Sequence, residues 1–428
     1  MRSLWPAGGL WRHGDFLKLW SAETISQFGS QVGQLALPLV AVLSLESSPF
    51  EVAVLGTILF APFILFAIPA GVWVDRMPRR PILIAGDLGR FLLLATVPVA
   101  YVVDALTIWQ LYAVAFGYGI CTVFFDVAYQ SYLPSLVARD QLVDGNSKLE
   151  ISRSAAQLGG PGLGGLTVQV LTAPYAVLAD AVSFLASAVF LLGIRKPEPI
   201  YEREEGAPHP SMLREAREGL GYVLGHRHLR SIAGTTGISN FASNLAFAVF
   251  LVYAVRELGL SAAAIGILFS VGSIGSLAGA LAGRRIAAKL GVGPTIIATA
   301  AVFGPAMLLF PAAPASFPYP FLAVGMVLFG LAGVTYNITQ LSYRQAITPE
   351  RMQGRMNAVM RFIVWGVIPI GSLIGGALAT WIGLRQTMWI GAAIGSLSFL
   401  PVLLSPVRSL REMPEPMGED VTPEPASA

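Results

Sequence analysis

The feature that most constrains this chain is the recurrence of apolar windows, each long enough to cross about 30 Å of hydrocarbon. In the 428 residues they fall near 19–44, 50–73, 80–103, 106–133, 145–172 and 174–194, then near 231–255, 261–283, 291–313, 318–342, 355–381 and 384–404. Lipid offers no partner to backbone N–H and C=O groups, so windows of this length and composition form helices. The pattern predicts an all-α integral membrane protein of 12 transmembrane helices. A polar stretch from Arg195 to Arg230 divides six spans from six. The expected domains are an N-terminal six-helix bundle over 1–194, a cytoplasmic linker over 195–230 with a short amphipathic helix near 211–224, a second bundle over 231–405, and a disordered cytoplasmic tail over 406–428.

Only 12% of the residues are charged, about half the share of an ordinary soluble domain, so bilayer is the expected solvent. Cys121 is the single cysteine, which excludes an intramolecular disulfide or a thiolate metal cluster. The pair His226 and His228 has no acidic or sulfur companion and reads as part of a solvated loop. Neither a metal nor a cofactor is expected, and the net charge of +3 gives no reason to expect a nucleic-acid partner. No cleavable signal peptide is apparent, because Trp5, Trp11 and Arg12 interrupt the start.

Basic residues alternate with the spans as the positive-inside rule requires. Of the 28, only Arg256 and Arg385 fall on the opposite side, and Arg90 lies within the third span, which leaves 25 on one face. Both termini and the central linker are therefore expected in the cytoplasm of a cell whose plasma, or inner, membrane holds the protein.

The halves echo one another. Ser26-Gln27-Phe28-Gly29-Ser30-Gln31 matches Ser239-Asn240-Phe241-Ala242-Ser243-Asn244 at an offset of 213. Asp126 through Ser131-Tyr132 matches Asn337 through Ser342-Tyr343, and Asn146 with Gly164-Gly165 matches Asn357 with Gly375-Gly376, both at 211. Three echoes in one order at nearly constant offset indicate a duplicated bundle.

A charge at the bilayer centre costs about 2.5 to 3.5 kcal/mol, so the polar groups within spans are the functional candidates. In the first span Glu23, Ser26, Gln27, Ser30, Gln31 and Gln34 fall on one sector. A sector this polar faces either a water-filled cavity, the favoured reading, or another helix. In the seventh span Ser239, Asn240, Ser243 and Asn244 repeat the device, and Asn337 and Gln340 join them from the tenth. The pairs Asp87 with Arg90 and Glu150 with Arg153 have the spacing to neutralise one another on a helix face. Asp180 in the sixth span and Arg361 in the eleventh have no assignment.

Several motifs resemble the major facilitator superfamily. Gly71-Val-Trp-Val-Asp75-Arg76-Met-Pro78-Arg79-Arg80 is similar to its signature between the second and third spans, with Pro78 in place of a glycine. Gly160-Pro161-Gly162-Leu163-Gly164-Gly165 is similar to the fifth-span motif of its exporters, and the text from Phe16 to Leu39 resembles the branch of enterobactin exporters and macrolide-efflux proteins. Residues 108–120 contain no arginine, where the drug/proton antiporter branch has one.

The resemblance implies two pseudo-symmetric six-helix bundles in a monomeric, multi-pass transporter that is not an enzyme. It would export a small amphipathic molecule by alternating access; Glu23 and Asp126, as carboxyls within spans, are the expected carriers if protons couple. A cytoplasmic gate would comprise Gly71, Asp75, Arg76, Arg79, Arg80 and Asp126, with Gly71 allowing close helix approach. An uptake permease on the same fold, or a non-transporting sensor or assembly partner, remains open at this point.

Overall fold

The computed structural model describes residues 10–74, 77–138, 141–196, 198 and 212–412. Asp75, Arg76, most of the linker between 199 and 211, and the tail beyond 412 lie outside the described residues. Two compact units emerge, one of Met1–Arg203 with Leu251–Ser270 and the other of Glu204–Phe250 with Val271–Ala428.

The first half contributes α1 (Gly14–Leu39), α2 (Pro49–Val74), α3 (Arg79–Val102), α4 (Ile108–Leu136), α5 (Leu142–Leu171) and α6 (Ala173–Leu192). A short α7 (Met212–Gly225) precedes α8 (Arg227–Arg256), α9 (Ala262–Leu290), α10 (Val292–Ala312), α11 (Tyr319–Ala346), α12 (Glu350–Ile382), α13 (Leu384–Ser396) and α14 (Leu400–Leu403). Ten helical segments among the described residues are long and apolar enough to cross a membrane, the last joining α13 and α14 over Leu384–Leu403. The two remaining expected spans are α1 and α5. Both are long helices, but Asp15, Lys18 and Glu23 on α1, and Asp144, Lys148, Glu150 and Arg153 on α5, lower their apolar character.

Helix ends in the first unit are satisfied by side chains distant in the chain. The Glu198 carboxylate accepts from the backbone N–H groups of Arg79 and Arg80, each at 2.6 Å, at the start of α3. Such an anion opposes the positive end of the helix dipole. Arg80 donates in turn to the carbonyls of Leu191 and Leu192 at the end of α6, and Lys18 donates to Gly193 at 2.5 Å. Asp15 accepts from Lys18 at 2.9 Å and from the N–H of Lys196 at 3.1 Å, and these donors hold its carboxyl below the usual range.

In the second unit α7 docks on α12. Its Gly219 lets the backbone carbonyl of Arg355 approach to 3.0 Å of where a Cβ would stand, Glu218 pairs with Arg355 at 2.8 Å, and Val223 is fully buried. The linker thus carries a helix packed into the fold. The two histidines follow it closely and are partly buried rather than in an open loop: His226 is half-buried just after α7, where burial lowers its pKa, and His228 Nδ1 lies 2.5 Å from the Tyr343 hydroxyl. His226 alone separates α7 from α8, which leaves no room for a loop.

The duplication seen in the sequence is physical. Gly160 of α5 faces Gln31 of α1 too closely for any Cβ, and Gly164 would place one 3.1 Å from the Val32 Cα. At the equivalent crossing, Gly371 and Gly375 of α12 meet Asn244 and Leu245 of α8. The glycines differ by 211 (371 − 160, 375 − 164) and their partners by 213 (244 − 31, 245 − 32). Without a hydrophobic force between helices in lipid, close backbone approach at small residues is what drives such contacts. Even a turn repeats: Thr172 between α5 and α6 has φ 71° and ψ 162°, while Gly383, 211 residues later, has φ 96° and ψ 160°.

Candidate functional site: a carboxylate cluster and an arginine-bearing cavity

Each unit has its own polar centre, and the two differ in sign. In the first, Arg90 of α3 is buried and donates to Asp87 at 2.5 Å. Its guanidinium lies between the rings of Phe125 on α4 and Phe184 on α6, with centroids at 4.1 and 4.2 Å. An arginine between two aromatic faces retains its charge in a desolvated place. Three further carboxyls feel that charge: Glu23 of α1, Asp126 of α4 and Asp180 of α6. Glu23 is 6% exposed and accepts from Gln27 at 2.6 Å. Asp180 is 1% exposed and lies against Gly29 and Gly33 of α1, where side chains at either position would overlap it.

The local Asp87–Arg90 pair therefore forms as its spacing predicts. Glu150 and Arg153 do not pair; both are exposed, where holding two long side chains in one geometry gains little. Gln31 and Asn244 serve helix packing against Gly160 and Gly371, so the interface reading applies to them. Gln34 is exposed, and Gln27 stays with Glu23.

In the second unit a cavity of about 750 Å³ opens among α8, α10, α11 and α12. Ser239, Asn240, Ser243, Asn337 and Gln340 line it, whereas Asn244 does not. Phe303 and Phe329, with ring centroids 4.3 Å apart, and Trp365 supply apolar walls. Arg344 and Arg361 also line it and were not among the expected site residues. The repeat offset was the signal that could have found Arg361, because 361 − 211 points to Glu150, an opposite charge. Helices α8 to α13 hold a single acidic residue, Glu350 at the first position of α12.

The same correspondence shows how the halves diverged. Glu23 answers to Thr236 (236 − 213), Asp126 to Asn337 (337 − 211) and Asp180 to Gly391 (391 − 211). Gly391 packs on Ala242 and Ala246, the counterparts of Gly29 and Gly33. Carboxyls of the first half are thus replaced by neutral groups in the second.

The expected gate residues have other surroundings. Arg79 and Arg80 sit at the α3 start described above, and a Cβ on Gly71 would meet open space, so close approach is not its role in this conformation. Asp126 feels Arg90 and Arg153; its expected partner Arg76, with Asp75, lies outside the described residues. The fifth-span motif does pack closely: beyond Gly160 and Gly164, the carbonyl of Pro161 abuts Gly266 and Gly165 abuts Ala262 within the first unit, while Gly162 N–H donates to Ser270 at 2.9 Å.

Such a fold and such polar centres define a multi-pass membrane transporter of the major facilitator superfamily. Within that class, the family of transmembrane secretion effectors matches residues 9–425, and the chain belongs to it. It is 27% identical over 399 residues to the multidrug efflux pump Tap of Mycolicibacterium fortuitum, covering 88% of this chain and 92% of Tap. It is 22% identical to macrolide efflux protein A of Streptococcus pyogenes (92% and 97% covered) and 23% identical to the enterobactin exporter EntS of Salmonella typhimurium (94% and 95% covered). The fold matches a bacterial homologue of the iron transporter ferroportin in its inward-facing state, with a TM-score of 0.71 at 18% identity over 93% of this chain and 99% of that one. It also matches the nucleoside transporter NupG, with a TM-score of 0.72 at 10% identity over 91% and 98%. These relatives and neighbours are transporters, not enzymes.

Proposed function

We propose that this protein is a secondary transporter that exports a small amphipathic molecule by alternating access from the plasma membrane, with both termini cytoplasmic and a monomer as the working unit. The observation that carries the reading is the mixed character of the second-unit cavity, whose aromatic walls and amide, hydroxyl and guanidinium groups suit an amphipathic solute. Relatives named for efflux support the outward direction. Transport, rather than a chemical transformation, is the role proposed for every polar group described above.

Proton coupling is part of the proposal. One guanidinium pairs with Asp87 and lies within the electrostatic reach of Glu23, Asp126 and Asp180, and a bilayer interior does not tolerate that many uncompensated negative charges. Asp87 has the direct ion pair and Asp180 is packed against Gly29 and Gly33 beside Ser183, which leaves Glu23 and Asp126 as the proposed proton carriers. The cytoplasmic gate is proposed at Asp75 and Arg76 with Gly71, Arg79, Arg80 and Asp126. Asp75→Asn is expected to insert normally and lose flux, and normal flux in that variant would remove the gate assignment.

Export is tested by comparing metabolites inside and outside cells that lack or overproduce the protein. Lower internal and higher external levels of at least one compound on overproduction support export. A growth defect relieved by external supply of one nutrient, with no change in efflux, would replace it with uptake.

A further inference from the structure

The second-unit cavity carries more information than its amphipathic lining. Arg344 of α11 is 7% exposed, lines the cavity, and its Nε has no hydrogen-bond partner. No carboxylate pairs with it among the described residues. Gln340, one turn before it, is 3% exposed and has an unpartnered Oε1, while its amide nitrogen turns to Asn337 at 3.1 Å. Arg361 reaches the same space from α12 and stays near Trp365, its guanidinium 5.7 Å from the ring centroid.

A buried guanidinium without a counter-charge is costly, and proteins ordinarily pair it or use it to hold an anion. Here the surrounding helices supply almost no acid: α8, α10 and α11 have none, and the one acidic residue of α12, Glu350, stands at its first position, eleven residues before Arg361. We propose that the cavity is a recognition site for the negatively charged group of an amphipathic anion, a carboxylate or comparable oxyanion on an aromatic or otherwise apolar body. Arg344 and Arg361 take the anionic group through charge-assisted hydrogen bonds. Phe303, Phe329 and Trp365 take the body. The inference deepens the transport reading by naming its substrate class, and rests on that reading only for what happens after binding.

The test uses three matched probes, 2-naphthoate, 2-naphthamide and 2-naphthylmethylammonium, with the purified full chain in detergent, read by thermal shift and tryptophan fluorescence. Loss of one hydrogen bond to a charged group corresponds to roughly tenfold or more in affinity. Naphthoate is expected to bind at least about tenfold tighter than either companion, Arg344→Gln to abolish that preference, and Arg344→Lys to keep part of it. Arg361 is exposed, so Arg361→Gln folds irrespective of Arg344 and is expected to weaken naphthoate alone. No naphthoate binding up to millimolar concentration, equal binding of naphthoate and naphthamide, or an unchanged preference in both glutamine variants overturns the proposal. Flux of the probes through proteoliposomes is measured separately. Movement of the amide or the ammonium without preference for the anion leaves a transporter and removes the anion site, whereas selective naphthoate binding without flux of any probe retains the site and counts against transport.

Discussion

The carboxylate of Asp180 occupies the space in which a side chain on Gly33 would stand. One residue on α6 thereby depends on the absence of another on α1, and the buried carboxyl is brought within the field of Arg90. The second half solves the same crossing with Gly391 against Ala242 and Ala246. Size and polarity have changed places at equivalent positions.

Gly33→Ala is expected to destabilise the first unit by about 1–3 kcal/mol, the usual cost of overpacking a close contact. The double variant Gly33→Ala/Asp180→Gly, which copies the second half, should recover much of the loss. Melting temperatures in detergent measure both, and an unaltered single variant would show that this contact is loose.

Removing Arg90 alone leaves Asp87 buried without its partner, a loss of about 3–5 kcal/mol. Arg90→Met should therefore reduce the amount of folded protein sharply. Asp87→Asn/Arg90→Met should restore folding, because the two charges disappear together, while flux stays impaired. If the double variant folds no better than the single one, packing of the guanidinium between Phe125 and Phe184 outweighs its charge.

Glu23→Gln preserves the partnership with Gln27 in shape and removes the exchangeable proton. Flux by this variant in proteoliposomes should no longer respond to an imposed pH gradient, while downhill movement of the substrate continues. Retained sensitivity to an uncoupler would transfer the role to Asp126.

Thr172 holds φ 71° and ψ 162°, a region open essentially to glycine and costing other residues about 1–3 kcal/mol. Thr172→Gly should raise the melting temperature, since the strain relieved exceeds the added freedom of the unfolded chain, about 0.5–1 kcal/mol. A lower melting temperature would mean that the Thr172 side chain makes a compensating contact.

How much was legible follows from how local each signal is. Span number, the basic face and the repeat depend on short stretches and their spacing. The spans and the repeat could be read directly, as could the Asp87–Arg90 pair, whose partners share one helix turn. The polar sector of α1 was equally visible, but its division was not: Glu23 and Gln27 turn to each other, Gln31 lies under Gly160, and Gln34 stays exposed. A helical projection shows which residues share a face and is blind to which helix covers it.

The sequence by itself determined that the chain is a duplicated set of membrane helices, because hydrocarbon thickness and the energy of charge in lipid act on each segment separately. Only the tertiary structure decided that Asp180 and Arg90 share one buried centre and that Arg344 and Arg361 share one cavity. Those residues come from different helices, so glycine-dependent crossings, rather than position along the chain, bring them together.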